Sequence, residues 1–158
     1  MNDHHVARLC SGALATVLLL VTGGGALAHE QNPAERAIEY RKSVYHVIAW
    51  NLAPMGAAIQ GKAPYDKDAF ALAASRIATL APMLPEGFPA GSYVAGKTDA
   101  KPELWQDPAE FARLMKDLAS RSAALAEIAR TGDLEKIRPA FNDLTKACKV
   151  CHTKFRAD

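Results

Sequence analysis

Strand-like alternation of apolar and polar residues is missing from this sequence, as is any hairpin signal, and that excludes a chain built on a β-sheet. Cysteine is scarce, with three in 158 residues. Cys10 precedes an apolar stretch near the start, so only Cys148 and Cys151 are left to bond, across a loop too short to constrain much of the chain. Structural disulfides therefore do not hold this fold. Charge of one sign is lacking too: 19 basic and 17 acidic side chains give a formal net charge of +2, and no basic stripe or charge run points to nucleic acid. The sequence also has no apolar run of the roughly 20 residues that a bilayer span requires. Its most apolar stretch, "ALATVLLLV" at 13–21, is soon followed by Gly23, Gly24 and Gly25.

That stretch reads instead as an export signal. Arg8 lies in a short polar head, and the small residues Ala26 and Ala28 follow the apolar part, so cleavage is expected after Ala28. Cys10 leaves with the signal. Residues 29–158 are then enough for one domain, and the mature protein is expected in the periplasm with no membrane attachment.

Apolar residues recur at alternating three and four spacing in four stretches, which predicts an all-α protein. The first covers about 33–60, with Asn32 as cap, Pro33 at the first helical position and the stripe Ile38, Arg41, Tyr45, Ile48, Leu52, Met55, Ile59. Asp66 can cap a second helix carrying Phe70, Ala73, Ile77, Leu80 and Leu84, which Pro82 and Pro85 end. A long Gly- and Pro-rich connection, 85–106, leads to Asp107 and Pro108, which open a third helix striped by Phe111, Leu114, Leu118, Leu125 and Ile128. Gly132 stops it. Asp133 starts the fourth, with Leu134, Ile137, Phe141, Leu144, Cys148, Cys151 and Phe155 on one face. Pro139 predicts a kink there, or else a separate short turn over 133–138. The economical packing is an antiparallel up-down-up-down four-helix bundle.

The run Cys148-Lys149-Val150-Cys151-His152 sets two thiols three apart on one helix face, with an imidazole about 100° round from the second. It is the c-type haem signature. Each thiol adds to one vinyl group of the porphyrin, and the adjacent histidine is then held under the iron as axial ligand. One covalent haem c, through Cys148 and Cys151 with His152 on the iron, is the expectation. A structural zinc site wants four protein ligands, and the mature chain adds only His29 and His46 as histidines. A thioredoxin-like pair wants strand and helix in alternation. Because both cysteines continue the apolar stripe, the porphyrin is expected inside the bundle.

Six residues follow His152, so any sixth ligand is expected from upstream, from His29, His46, Met55, Met83 or Met115. With the first helix antiparallel to the fourth, its N-terminal half is level with His152, and Met55 lies about 15 Å beyond residue 45 at 1.5 Å per residue. Tyr45 sits at the right height, either as a core aromatic or as a steric lid over the iron. Arg41, the one charge on the stripe, either snorkels or meets a buried carboxylate such as a haem propionate.

On "EYRKSV" at 39–44, "GKAPYD" at 61–66, "KPELW" at 101–105 and "CKVCHTKFR" at 148–156, the chain resembles the cytochrome c′ family, class II c-type cytochromes with C-terminal haem attachment. The resemblance implies that Arg41 and Lys42 meet a propionate and that Arg156, with Phe155, lies on the proximal side near His152. It implies that position 45 covers the distal face, where a bulky non-ligand residue such as Tyr45 goes with a five-coordinate, high-spin iron that binds nitric oxide or carbon monoxide. It also implies a homodimer through the first two helices, with Val44, Val47 and Ile48 near that face. The function expected is a non-enzymatic gas-binding haem protein that also exchanges electrons with an unidentified donor or acceptor. The alternative is a six-coordinate, low-spin electron carrier of the c-556 type, ligated by His46 or a methionine.

Overall fold

A computed structural model describes residues 32–157, so the expected signal peptide and His29 lie outside the described residues. Helix α1 is Pro33–Ile59, with Asn32 Oδ1 accepting from the Ala34 N–H at 3.0 Å. Helix α2, Lys67–Leu80, is capped by Asp66, whose Oδ1 accepts from the Asp68 and Ala69 N–H groups at 2.9 and 3.0 Å. Helix α4, Pro108–Ala129, and helix α5, Leu134–Phe155, begin the same way on Asp107 and Asp133. A short helix α3, Glu103–Gln106, precedes α4. Each cap satisfies N–H groups that the first helical turn leaves without partners.

The bundle is formed by α1, α2, α4 and α5, which pack in that order: α1 on α2, α2 on α4, α4 on α5. The fourth seam is different, because α1 and α5 barely approach one another. The core lies chiefly along the other three seams, with Ile77, Leu84, Leu125, Ile137 and Leu144 fully buried. The wide fourth seam locates the site.

Three local features differ from the sequence expectation or go beyond it. Helix α5 runs unbroken through Pro139, and no separate turn precedes it. Pro139 and Glu135, whose carbonyl would have bonded to that position, are both exposed, so water can satisfy the freed acceptor. A second interior proline, Pro54, lies on the outer face of α1, also on an exposed turn. The long connection is not structureless either. It starts as a 3₁₀ segment, Ala81–Gly87, that packs on α1 and α4, and it ends in α3 with Leu104 buried. Gly87 is required at the first of these contacts, because a Cβ there would stand 2.6 Å from Arg41 Cβ and 3.1 Å from its Cα.

Candidate haem site

Between α1 and α5 lies a cavity of about 390 Å³, within the range of pockets that enclose a small organic ligand. Its walls are apolar: Ile48 and Leu52 from α1, Ile77 from α2, Leu118 from α4, Leu144 from α5, with Phe88 and Phe111 at one end. Cys148 and Cys151 both line it from α5, together with His152, Phe155 and Arg156. Arg41, Lys42, Tyr45 and His46 line it from α1. Every residue assigned a site role from sequence therefore borders one cavity, and it is the space left by the open seam.

Neither cysteine is bonded to the other. Burial pushes the Cys151 thiol up to about 11, with Cys148 adding to the shift, and burial raises Cys148 as well. Both groups are thus thiols at neutral pH, and a thiol is what adds S–H across a vinyl double bond. His152 is held below its ordinary value by partial burial first and by Arg156 second, which favours the neutral imidazole that ligates a metal.

Tyr45 is half-buried on the α1 wall, close enough to feel both thiols. Burial raises its phenol most, Cys151 and Cys148 raise it further, and Arg41 and Arg156 act the other way. The hydroxyl makes no hydrogen bond to a described protein group, so its stable form here is a neutral aromatic plate facing the cysteines. Of the sulfur ligands considered from sequence, Met55, Met83 and Met115 are all absent from the cavity lining, and Met55 and Met115 are buried elsewhere in the core. His46 borders the cavity but is exposed.

Arg41 does more than its stripe position suggested. It is 3% exposed, and its four terminal N–H donors go to the long connection: Nη1 to the Gly87 carbonyl at 2.9 Å and Ser92 Oγ at 3.2 Å, Nη2 to the Ser92 carbonyl at 3.0 Å and Thr98 Oγ1 at 2.8 Å. Its guanidinium carbon lies 4.8 Å from the centre of the Phe88 ring and 5.5 Å from that of Trp105. The same connection is tied to the end of α5, where the Lys101 N–H donates to the Phe155 carbonyl at 2.8 Å and the Ala157 N–H to the Asp99 carbonyl at 2.7 Å. Thr98, Asp99 and Ala100 thus form a strap across one end of the cavity. No sequence motif announces this strap, because most of its bonds use backbone groups that any residue could supply, and the rest use the hydroxyls of Ser92 and Thr98. Arg41→Ala would leave buried acceptors unpaired, so we expect a loss of about 3 kcal/mol in denaturant unfolding. Limited proteolysis should then cut first within 88–98.

The surface offered for pairing also differs from expectation. Val44 is buried at 7% exposure and Ile48 faces the cavity, so of the three residues placed near a dimer face only Val47 is exposed. Trp50 on α1, at 79% exposure, and Leu72 on α2, at 52%, are large exposed apolar side chains on the first two helices that sequence periodicity did not single out.

A family model described as Cytochrome C' matches residues 36–156. The chain belongs to the cytochrome c′ family. It is 35% identical over 126 residues to cytochrome c′ of Rubrivivax gelatinosus, covering 80% of this chain and 97% of that one. Among solved structures, cytochrome c prime from Shewanella frigidimarina superposes with a TM-score of 0.78 at 38% identity, over 81% of this chain and 99% of the other. Cytochrome c prime from Alcaligenes xylosoxidans, solved as a ferrous variant with bound NO, superposes at 0.74 with 30% identity, over 82% and 99%. Cytochrome c′ proteins carry covalently attached haem c, and the cavity fits such a group: two thiols on one wall, a neutral imidazole beside them, apolar faces and a cationic rim.

Proposed function

We propose that this is an exported, five-coordinate haem c protein that binds nitric oxide or carbon monoxide and also exchanges electrons. Cys148 and Cys151 hold the porphyrin by thioether bonds, and His152 is the sole protein ligand. The haem supplies an iron with one open coordination position. The chain's own residues decide what reaches it. The apolar wall from α1, α2 and α4 keeps the cavity dry and favours small uncharged ligands over ions. Tyr45, on the opposite wall from the cysteines, covers the open position and must swing aside for a ligand to bind. Lys42 at the rim is placed for a propionate, while Arg41 can reach one only through its remaining Nε–H or by releasing an oxygen of the strap. Phe155 and Arg156 flank His152 on the proximal side.

The observation that carries this reading is a cavity bounded by Tyr45 and, among the described residues, by no methionine. The NO complex of the Alcaligenes protein supports the ligand class. Export rests on the signal-like residues 1–28. A dimer through Val47, Trp50 and Leu72 accords with the ligand-controlled dimer dissociation described for a cytochrome c′ of 30% identity.

His46 is the one group lining the cavity that supports the six-coordinate alternative. Absorption spectra separate the two. The ferrous protein should show high-spin bands that shift on adding carbon monoxide, whereas low-spin bands indifferent to the gas would overturn the proposal and favour His46.

A further inference from the structure

The formal charge of +2 conceals a segregation that only the fold brings into view. Residues 40–59 of α1 contain Arg41 and Lys42 and no carboxylate, and residues 144–157 contain Lys146, Lys149, Lys154 and Arg156 and no carboxylate. The rest of the sequence has 13 basic and 17 acidic side chains, so it is net negative. These two cationic segments are the ones that flank the open seam.

Beside the haem cavity a second groove, of about 500 Å³, runs from Leu52 on α1 over the last turns of α5. Its lining includes Cys148, Lys149, His152 and Arg156, with no carboxylate among the described residues. The groove therefore opens at the edge where the Cys148 thioether bond would lie. Asp99, the one carboxylate lining the main cavity, lies 3.5 Å from Arg156. Lys42, Lys146 and Lys149 are exposed and have no ion pair among the described residues, unlike Lys154, which bonds to Asp107 at 2.8 Å. Unpaired lysines thus stand on both of the helices that flank the haem cavity, Lys42 on α1 and Lys146 and Lys149 on α5.

We propose that this α1/α5 rim is the docking surface for an acidic redox protein, through which the electron exchange of the functional reading takes place. The inference rests on that reading. A focused cationic rim raises the encounter rate with an anionic face and orients it, and the effect fades as salt screens it. Lys149 and Arg156 line the groove and Lys42 lines the cavity beside it, a compact cluster rather than an extended stripe, which favours a compact protein face over a membrane or a nucleic acid.

The test uses the reduced holo-protein in stopped flow. The ferrous iron gives up a single electron to ferricyanide, which becomes ferrocyanide, or to the cationic tris(phenanthroline)cobalt(III), which becomes the cobalt(II) complex; no proton moves. Between about 0.01 and 1 M salt, the ferricyanide rate should fall on the order of tenfold while the cobalt rate rises. In Lys146→Glu with Lys149→Glu both trends should weaken together, with the carbon monoxide spectrum unchanged. A poly-glutamate peptide should shift backbone amide resonances within 40–52 and 144–157 of the wild type, and not those of the double variant. Equal salt dependence for the two oxidants, or amide shifts elsewhere, overturns the docking surface and leaves the gas-binding reading standing. Salt-sensitive flotation with phosphatidylglycerol vesicles that the double variant loses would likewise overturn it, by giving the rim to a lipid surface. Absence of the carbon monoxide shift in the wild type would instead count against the functional reading itself.

Discussion

Replacing both cysteines, Cys148→Ala with Cys151→Ala, should release the haem and loosen the whole bundle. The site cavity is about 390 Å³, and it lies on the one seam where two long helices barely touch. Residual cavities destabilise by about 24 cal/mol per Å³, so leaving even a third of this volume unfilled corresponds to about 3 kcal/mol. At this chain length that lowers the melting temperature by about 10 °C. Acid–acetone extraction should remove the porphyrin from the double variant and not from the wild type. Circular dichroism should show reduced helix content, chiefly because α1 and α5 lose the group that fills the space between them. Retention of full helicity and an unchanged melting temperature would mean that α1 closes onto α5 by itself.

Tyr45→Ala should speed carbon monoxide and nitric oxide association by about 10- to 100-fold. Displacing a buried aromatic ring costs roughly 1.5–3 kcal/mol, and each 1.4 kcal/mol corresponds to a factor of ten in the population of the open arrangement. Tyr45→Phe separates the ring from its hydroxyl. Since the hydroxyl bonds to no described protein group, Tyr45→Phe should bind gas at nearly the wild-type rate. Flash photolysis of the carbon monoxide complex measures both. Equal rates in wild type and Tyr45→Ala would remove Tyr45 from the distal face.

The helices were legible because their signals are local. Asn32, Asp66, Asp107 and Asp133 each cap where a short polar residue precedes an apolar stripe, and the α5 stripe carries both cysteines to the interior. What the sequence concealed depends on contacts between distant segments. Arg41 looked like a residue in want of a carboxylate, yet four oxygens from 87–98 meet it, and none of them belongs to an acidic side chain. Val44 was misplaced because α1 turns one flank to α2 and another to the cavity, so its buried face is wider than a single stripe. Pro139 looked disruptive because a lost backbone bond is costly only where water cannot replace it, and exposure is not written in a proline. The cationic rim likewise needed the fold, since residues 40–59 and 144–157 are far apart in sequence.

The most direct measurement is mass spectrometry of a tryptic digest of the purified protein. Cleavage after Lys146 and Lys154 releases residues 147–154, and a further cut after Lys149 separates Cys148 from Cys151 in the polypeptide. The account predicts that 147–154 carries the mass of one haem, and that 147–149 and 150–154 stay joined through the macrocycle after the second cut. Peptides recovered at their bare polypeptide masses would contradict it.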